Sequence, residues 1–212
     1  MKKVLLATLL LAFLAPAAFA VPALQIYVPG GTYNAGTQTW ESVGSSFEIW
    51  VIAADIDTKP LFDITLVAAL GKGVAPVNDG IDIGGHSYQA NEFHFGTPPY
   101  TDPDNALPPH DVYETNYAEF LIGNSSGPFE TVYDMQPGET GSAVGRIYKY
   151  QVDVTGYDWV HFDAYAYNET GRRKFAPFSH DAETGTTIPE PATMVLMGLG
   201  LAGAGLARRF RK

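Results

Sequence analysis

The 212-residue chain predicts an all-β fold: a single antiparallel β-sandwich flanked by two terminal targeting segments. Three observations carry that expectation. Apolar and polar residues alternate with a period of two in several runs, the pattern that a pleated strand converts into one buried and one wet face. Gly, Pro, Asn and Asp cluster between those runs, as turns require. No segment before Ala192 has an apolar stripe at helical spacing.

The first element, residues 1–20, reads MKKVLLATLLLAFLAPAAFA and has the three parts of a secretory signal peptide. Lys2 and Lys3 form a positive start, Val4 to Leu14 an apolar run too short to span a bilayer comfortably, and Ala18-Phe19-Ala20 a small-x-small site that predicts cleavage after Ala20. Signal peptidase is therefore an expected partner.

Candidate strands follow at Leu24–Val28, at Phe47, Ile49, Val51 and Ala53, and at Phe62, Ile64, Leu66 and Ala68, the last two sets separated by the turn chemistry of DIDTKP. Further candidates are Tyr88–Phe95, Tyr117–Ile122 and Phe129–Met135. Between Phe95 and Thr115 five prolines rule out a central strand, so a long surface loop or strap is predicted there. Tyr148, Tyr150, Val152 and Val154 alternate with polar residues, and Val160, Phe162, Ala164 and Ala166 alternate with His161, Asp163, Tyr165 and Tyr167. The turn residues Thr155 to Asp158 between them predict a hairpin. Many short strands of this kind indicate a sandwich of jelly-roll or immunoglobulin-like type over residues 21–183, followed by a linker, 184–191.

The last element is a second address. From Ala192 to Ala207 every residue but Thr193 is apolar, and Arg208, Arg209, Arg211 and Lys212 follow closely. At roughly 1.5 Å per residue this transmembrane helix, 192–207, covers about 24 Å against a hydrocarbon core of roughly 30 Å. It spans with the help of snorkelling arginines and a thinned membrane. The basic cluster 208–212 stays cytoplasmic by the positive-inside rule, which puts residues 21–188 across the inner membrane. Pro189-Glu190-Pro191 stands just outside that span, where two prolines force an extended segment open to an enzyme.

Composition limits the chemistry. The chain has 13 Lys+Arg against 23 Asp+Glu, but six of the basic residues and Glu190 belong to the terminal segments. Residues 21–188 keep 7 basic against 22 acidic, a net charge of −15. Such a surface repels nucleic acid and anionic headgroups, so no nucleic-acid partner is expected. With no cysteine, disulfides, thiol catalysis and thiolate metal sites are excluded.

No nucleophile elbow, HExxH, Walker or dinucleotide motif is present. The five histidines, His86, His94, His110, His161 and His180, match no compact ligand spacing. Two acidic turns, with Asp102, Asp104 and Asn105 in one and Asn78, Asp79 and Asp82 in the other, admit a Ca2+ ion; solvated turn residues explain them as well. No other cofactor is expected. Trp40, Trp50, Tyr165 and Tyr167 offer flat rings for stacking on a sugar, or else are buried under a second layer. Asp153 and Asp163 are candidate acid and base for a glycan-cleaving enzyme, which needs two carboxyls roughly 5 to 9.5 Å apart. Ser179-His180-Asp181 is consecutive in a loop and is not a catalytic triad in the usual sense.

The tail, with Pro189, Glu190 and Pro191 ahead of a glycine-dotted apolar run and a basic end, closely resembles the PEP-CTERM sorting signal. That resemblance implies recognition by an exosortase, an integral-membrane enzyme of Gram-negative bacteria that also make exopolysaccharide. The stretches PALQIYVPGGTY, TQTWES and VHFDAYAYNETGRRKFAPFSHDAE resemble the choice-of-anchor N group of bacterial surface domains, which assigns no activity. The expectation is an exported, non-enzymatic cell-surface or extracellular-matrix protein, sorted through its tail and associated with exopolysaccharide or biofilm. The alternative is a secreted glycan-binding module or polysaccharide-degrading enzyme.

Overall fold

The structure is a computed structural model that describes residues 21–101 and 112–185. The signal-peptidase site, the Pro189–Pro191 motif, the apolar run, the basic end, His110 and the acidic turn at Asp102, Asp104 and Asn105 all lie outside the described residues. Among the described residues no helix is long and apolar enough to cross a membrane.

The described strands are β1 (Leu24–Tyr27), β2 (Thr32–Asn34), β3 (Thr39–Val43), β4 (Ser46–Ala54), β5 (Phe62–Leu70), β6 (Ile81–Ile83), β7 (His86–Ser87), β8 (His94–Gly96), β9 (Thr115–Gly123), β10 (Glu130–Tyr133), β11 (Ser142–Val154), β12 (Val160–Tyr167), β13 (Arg173–Phe175) and β14 (Asp181–Gly185). They form two sheets. The first runs β1-β4-β11-β6-β7 with β10 alongside β11; the second runs β2-β3-β14-β12-β5-β9-β8 with β13 alongside β12. Pairing is antiparallel except for β14 with β3. The all-β, two-sheet sandwich expected from the alternation is what the chain forms.

Its core lies between the sheets, where each strand turns its apolar parity inward. Phe47, Ile49, Val51 and Ala53 of β4 and Val152 and Val154 of β11 meet Ile64, Leu66 and Ala68 of β5 and Val160, Phe162, Ala164 and Ala166 of β12. Phe47 and Phe162 close the layer edge to face at 5.8 Å, a pairing that contributes about 0.5–1.5 kcal/mol beyond burial. Tyr148 and Tyr150 pack against this core only partly buried.

Four local expectations are corrected. The segments around Tyr148–Val154 and Val160–Ala166 do not form a hairpin: β11 pairs with β4 and β6, and β12 with β5, β13 and β14. The chain arches from one sheet to the other at Thr155–Asp158, and both connections present the same apolar parity to a core. Phe62 is not in the core either. Asp63 takes a left-handed φ of 48°, the ladder to β9 shifts register between Ile64 and Thr65, and Leu61 fills the core in place of Phe62. The run Tyr88–Phe95 is broken by a short helical turn at Ala90–Glu92, with β7 and β8 on either side. Last, β14 extends the sandwich to Gly185, two residues past the expected boundary.

One glycine is required by close approach. A Cβ on Gly145 of β11 would run into the Ala53 carbonyl and, at 2.6 Å, the Val132 side chain. Neither neighbour is a flexible side-chain tip. Gly145→Ala is expected to destabilise the sandwich by about 1–3 kcal/mol, the cost of overpacking, read as a lowered urea midpoint with an unchanged slope.

Candidate functional site

The site is built on the outer face of the second sheet, and β12 organises it. Because Phe162, Ala164 and Ala166 point into the core, His161, Asp163, Tyr165 and Tyr167 point outward. Pairing registers set His161 opposite Glu183 of β14 and Ala69 of β5, and Asp163 opposite Val67. The β12–β14 ladder ends at Phe162 and Ala182, with Asp163 and Asp181 next along their strands. Val67 in turn faces Glu119 of β9.

This outer face is not wet. Val112 and Tyr113, at the returning end of the proline-rich strap, pack on Val67, Ala69, Tyr117 and Tyr165 as a second apolar cluster. At the leading end the Tyr100 amide donates to Glu119 Oε1 at 3.2 Å, and Tyr117 Oη donates to the Thr97 carbonyl at 3.4 Å. A polar row lies buried beside Tyr113. His161, Asp163 and Asp181 side chains are 5%, 0% and 2% exposed.

Within the row, His161 Nε2 lies 3.4 Å from Asp163 Oδ2 and 3.5 Å from Asp181 Oδ2. Tyr113 Oη donates to Asp163 Oδ2 at 2.9 Å. Trp159 stacks on the His161 ring at 5.7 Å and 24°, and its Nε1 donates to Glu183 Oε2 at 2.9 Å. Burial opposes a charge on His161, but the carboxylates of Asp163, Asp181 and Glu183 outweigh it and raise its pKa. Burial also raises Glu183, against the Trp159 hydrogen bond and His161, which lower it. Burial, then Asp163, push the Tyr113 phenol well above its ordinary value, so it remains a proton donor.

Further along β12 the cover ends in a groove of about 750 Å3 lined by Phe62, Asp63, Thr65, Thr101, Glu119, Leu121, Tyr165, Tyr167, Asn168, Glu169 and Gly171. Tyr165 and Tyr167 are neighbours there, with ring centroids 6.1 Å apart and planes at 88°. Tyr165 is nearly buried and donates its hydroxyl to Glu119 Oε1 at 3.1 Å, while Tyr167 is half-buried and faces Arg173. The Phe62 displaced from the core forms part of this wall.

The other sequence candidates scatter. Trp40 is buried in the core, edge-on to Tyr27 at 4.8 Å. Trp50, on the first sheet, carries the Lys149 ammonium 4.1 Å over its ring. Asn78, Asp79 and Asp82 hold their own turns: Asn78 Oδ1 accepts from the Ala90 amide, Asp79 Oδ1 from Ser87 Oγ and Gln89 Nε2, and Asp82 Oδ1 from the Gly85 amide. Asp153 and Asp163 are not brought together. Each neighbours core-facing residues on its strand, so the two carboxyls leave opposite outer faces of sheets that pack roughly 10 Å apart.

His86 pairs with Glu92 at the surface, and His94 stacks on Tyr100 at 3.9 Å. His180 is buried: its Nδ1 meets Ser179 Oγ at 2.8 Å and its Nε2 meets Asp134 Oδ1 at 2.9 Å. Asp134, distant in sequence, takes the position that Asp181 does not, and the contact ties the segment after β10 to the start of β14. Ser179 does not line the groove along β12.

Comparison with known proteins bears on the tail and on the sandwich separately. The family model of the PEP-CTERM protein-sorting motif matches residues 187–212. The chain thus carries a PEP-CTERM sorting signal, which implies processing by an exosortase and export to the cell envelope or surface. No curated protein matches the sequence. A crystal structure of an uncharacterized protein from Nocardia farcinica, described as revealing an immunoglobulin-like fold, is 10% identical, covering 76% of this chain and 94% of that chain at a TM-score of 0.29.

In chelating buffer stability is expected to depend on pH. His161 has a folded pKa above its unfolded value of about 6.5, so its charge contributes fully below about pH 6.5 and is lost as pH rises through the folded value. Glu183, also raised, acts in the same direction from about pH 4.5 upward. The thermal midpoint is expected to fall as pH rises above about 6.5, and His161→Gln is expected to remove that part of the slope, measured by calorimetry at matched ionic strength.

Proposed function

We propose that this is an exported, non-enzymatic surface or extracellular-matrix protein of a Gram-negative envelope, cut or transferred at its tail by an exosortase and deployed in exopolysaccharide or biofilm. The observation that carries the reading is the PEP-CTERM motif at residues 187–212, with Pro-Glu-Pro, a short glycine-dotted apolar run and a basic end in that order. On this reading the signal peptide is removed after Ala20, and the tail helix resides in the inner membrane only until processing. Gly198, Gly200, Gly203 and Gly205 each cost that helix about 1 kcal/mol relative to alanine. A marginal helix with small-residue faces suits recognition by another membrane protein.

The non-enzymatic part is supported by the separation of Asp153 from Asp163 and by the turn-knitting roles of Asn78, Asp79 and Asp82. The role in polymer is supported by the groove, where the half-buried Tyr167 and Phe62 offer apolar faces and Asp63, Glu119 and Glu169 offer acceptors for sugar hydroxyls. With 22 acidic against 7 basic residues over 21–188, the domain favours neutral or amino sugars over anionic ones.

Sorting is tested by mass spectrometry of the mature protein from its native host beside a variant in which Pro189, Glu190 and Pro191 are all alanine. The wild type is expected to lack Arg208 to Lys212 and the variant to retain them in the membrane fraction. Retention in both, with identical fractionation, overturns the sorting reading.

The groove is tested by titrating the host's own exopolysaccharide. Tyr167→Ala is expected to weaken binding about fivefold or more if the ring contributes roughly 1 kcal/mol or more of stacking, with the thermal midpoint little changed. Equal affinity in both proteins removes the groove from the reading and leaves the sorting assignment standing.

A further inference from the structure

We propose that His161, Asp163 and Asp181 form a buried site for one divalent transition-metal ion of the zinc class, held as a structural centre of the second sheet. One ligand atom from each residue can be chosen so that all three lie within 4.8 Å of one another. The His161 Nε2 separations, 3.4 Å to Asp163 Oδ2 and 3.5 Å to Asp181 Oδ2, are long for charge-assisted hydrogen bonds, which favour about 2.7–2.9 Å. They correspond instead to the edge of a tetrahedron, about 3.4 Å, whose corners stand roughly 2.1 Å from its centre, the distance at which zinc holds imidazole nitrogen and carboxylate oxygen.

The donor set points the same way. One imidazole with two carboxylates suits zinc better than calcium, which takes six to eight oxygens. All three residues are more than nine-tenths buried and stand on paired strands rather than on loops, the rigid support that metal geometry needs. The outer contacts are those of a metal site as well. Tyr113 Oη holds Asp163 Oδ2 at 2.9 Å, and Trp159 stacks on the imidazole and fixes its plane. Asp163 and Asp181 both face His161 Nε2, so the imidazole and the two carboxylates converge on one point.

The sequence conceals this site because its ligands come from two strands eighteen residues apart, with no compact motif. Because its ligands are buried, the ion would be acquired as the chain folds and would add its binding free energy to folding.

The test uses the tag-free full-length chain in detergent, stripped with chelator and then given Zn2+. The expected result is about one equivalent of zinc retained through gel filtration and a thermal midpoint raised by several degrees, as for any ligand of the native state alone. Asp181→Asn is expected to lose both effects, and Tyr113→Phe to weaken zinc binding about ten- to a hundredfold. His86→Gln, which removes the exposed His86–Glu92 pair, is expected to change neither. If the wild type retains no zinc and its midpoint does not move, the cluster is held by a proton and the proposal is wrong. It is equally wrong if Asp181→Asn retains zinc with the same midpoint shift as wild type. Should that variant fail to fold, X-ray absorption of the zinc-loaded wild type decides. A single imidazole with oxygens at about 2.0–2.2 Å supports the site, and a shell of several imidazoles or of none overturns it.

Discussion

Strand β12 is buried on both faces, and the architecture of the second sheet follows from that constraint. Its inner face, Val160, Phe162, Ala164 and Ala166, needs only a facing apolar layer, which β4 and β11 provide. Its outer face carries His161 and Asp163 and cannot be covered by apolar groups alone, because a buried charge without partners is costly. Each neighbour on that side therefore brings a polar group: Asp181 and Glu183 from β14, Tyr113 from the strap, and Trp159 from the arch that precedes the strand. The strap in turn is pinned at its leading end by Glu119 and Tyr117. Removing one member leaves its buried neighbours with fewer partners.

The inward parities of β4, β11 and β12 were legible because burial on one side leaves a clean period of two. Whether two successive strands pair or arch was not legible, since both geometries direct the same parity at a core. Phe62 was misread for a different reason: one left-handed residue, Asp63, breaks the alternation, and the sequence shows only an ordinary Phe-Asp-Ile. The short strands β2, β3, β6, β13 and β14 have three to five residues each, too few for periodicity to declare itself. Their positions come from long-range pairing, as when β14 docks parallel to β3.

The same limit governed the polar residues. Tyr165 and Tyr167 were recognisable as a same-face pair because they are two apart on one strand. His161 with Asp163 had that spacing as well, but nothing in the local sequence announced Asp181 beside them. The Ser179–His180–Asp134 line shows the same effect, for the fold supplied Asp134 from the distant segment after β10. What could have raised attention was the oddity of a strand whose outward parity reads His, Asp, Tyr, Tyr, too aromatic for a solvated face and too charged for a second core. That composition signals a covered polar layer.

The position of the sandwich relative to its tail bears on why processing would matter. The last strand ends at Gly185, and the Pro-Glu-Pro tripeptide begins four residues on. Four residues reach at most about 14 Å when fully extended. On the proposed reading, a domain of net charge −15 is therefore held close to the headgroups while the tail is in the membrane. Against an anionic surface, repulsion across that gap falls within one or two Debye lengths, about 8 Å each at physiological ionic strength, so it is only partly screened. The basic residues that fix the tail are on the opposite side of the bilayer and do not offset it. On that reading, cutting at the tripeptide would separate the acidic domain from that repulsion, so its charge would favour departure from the membrane.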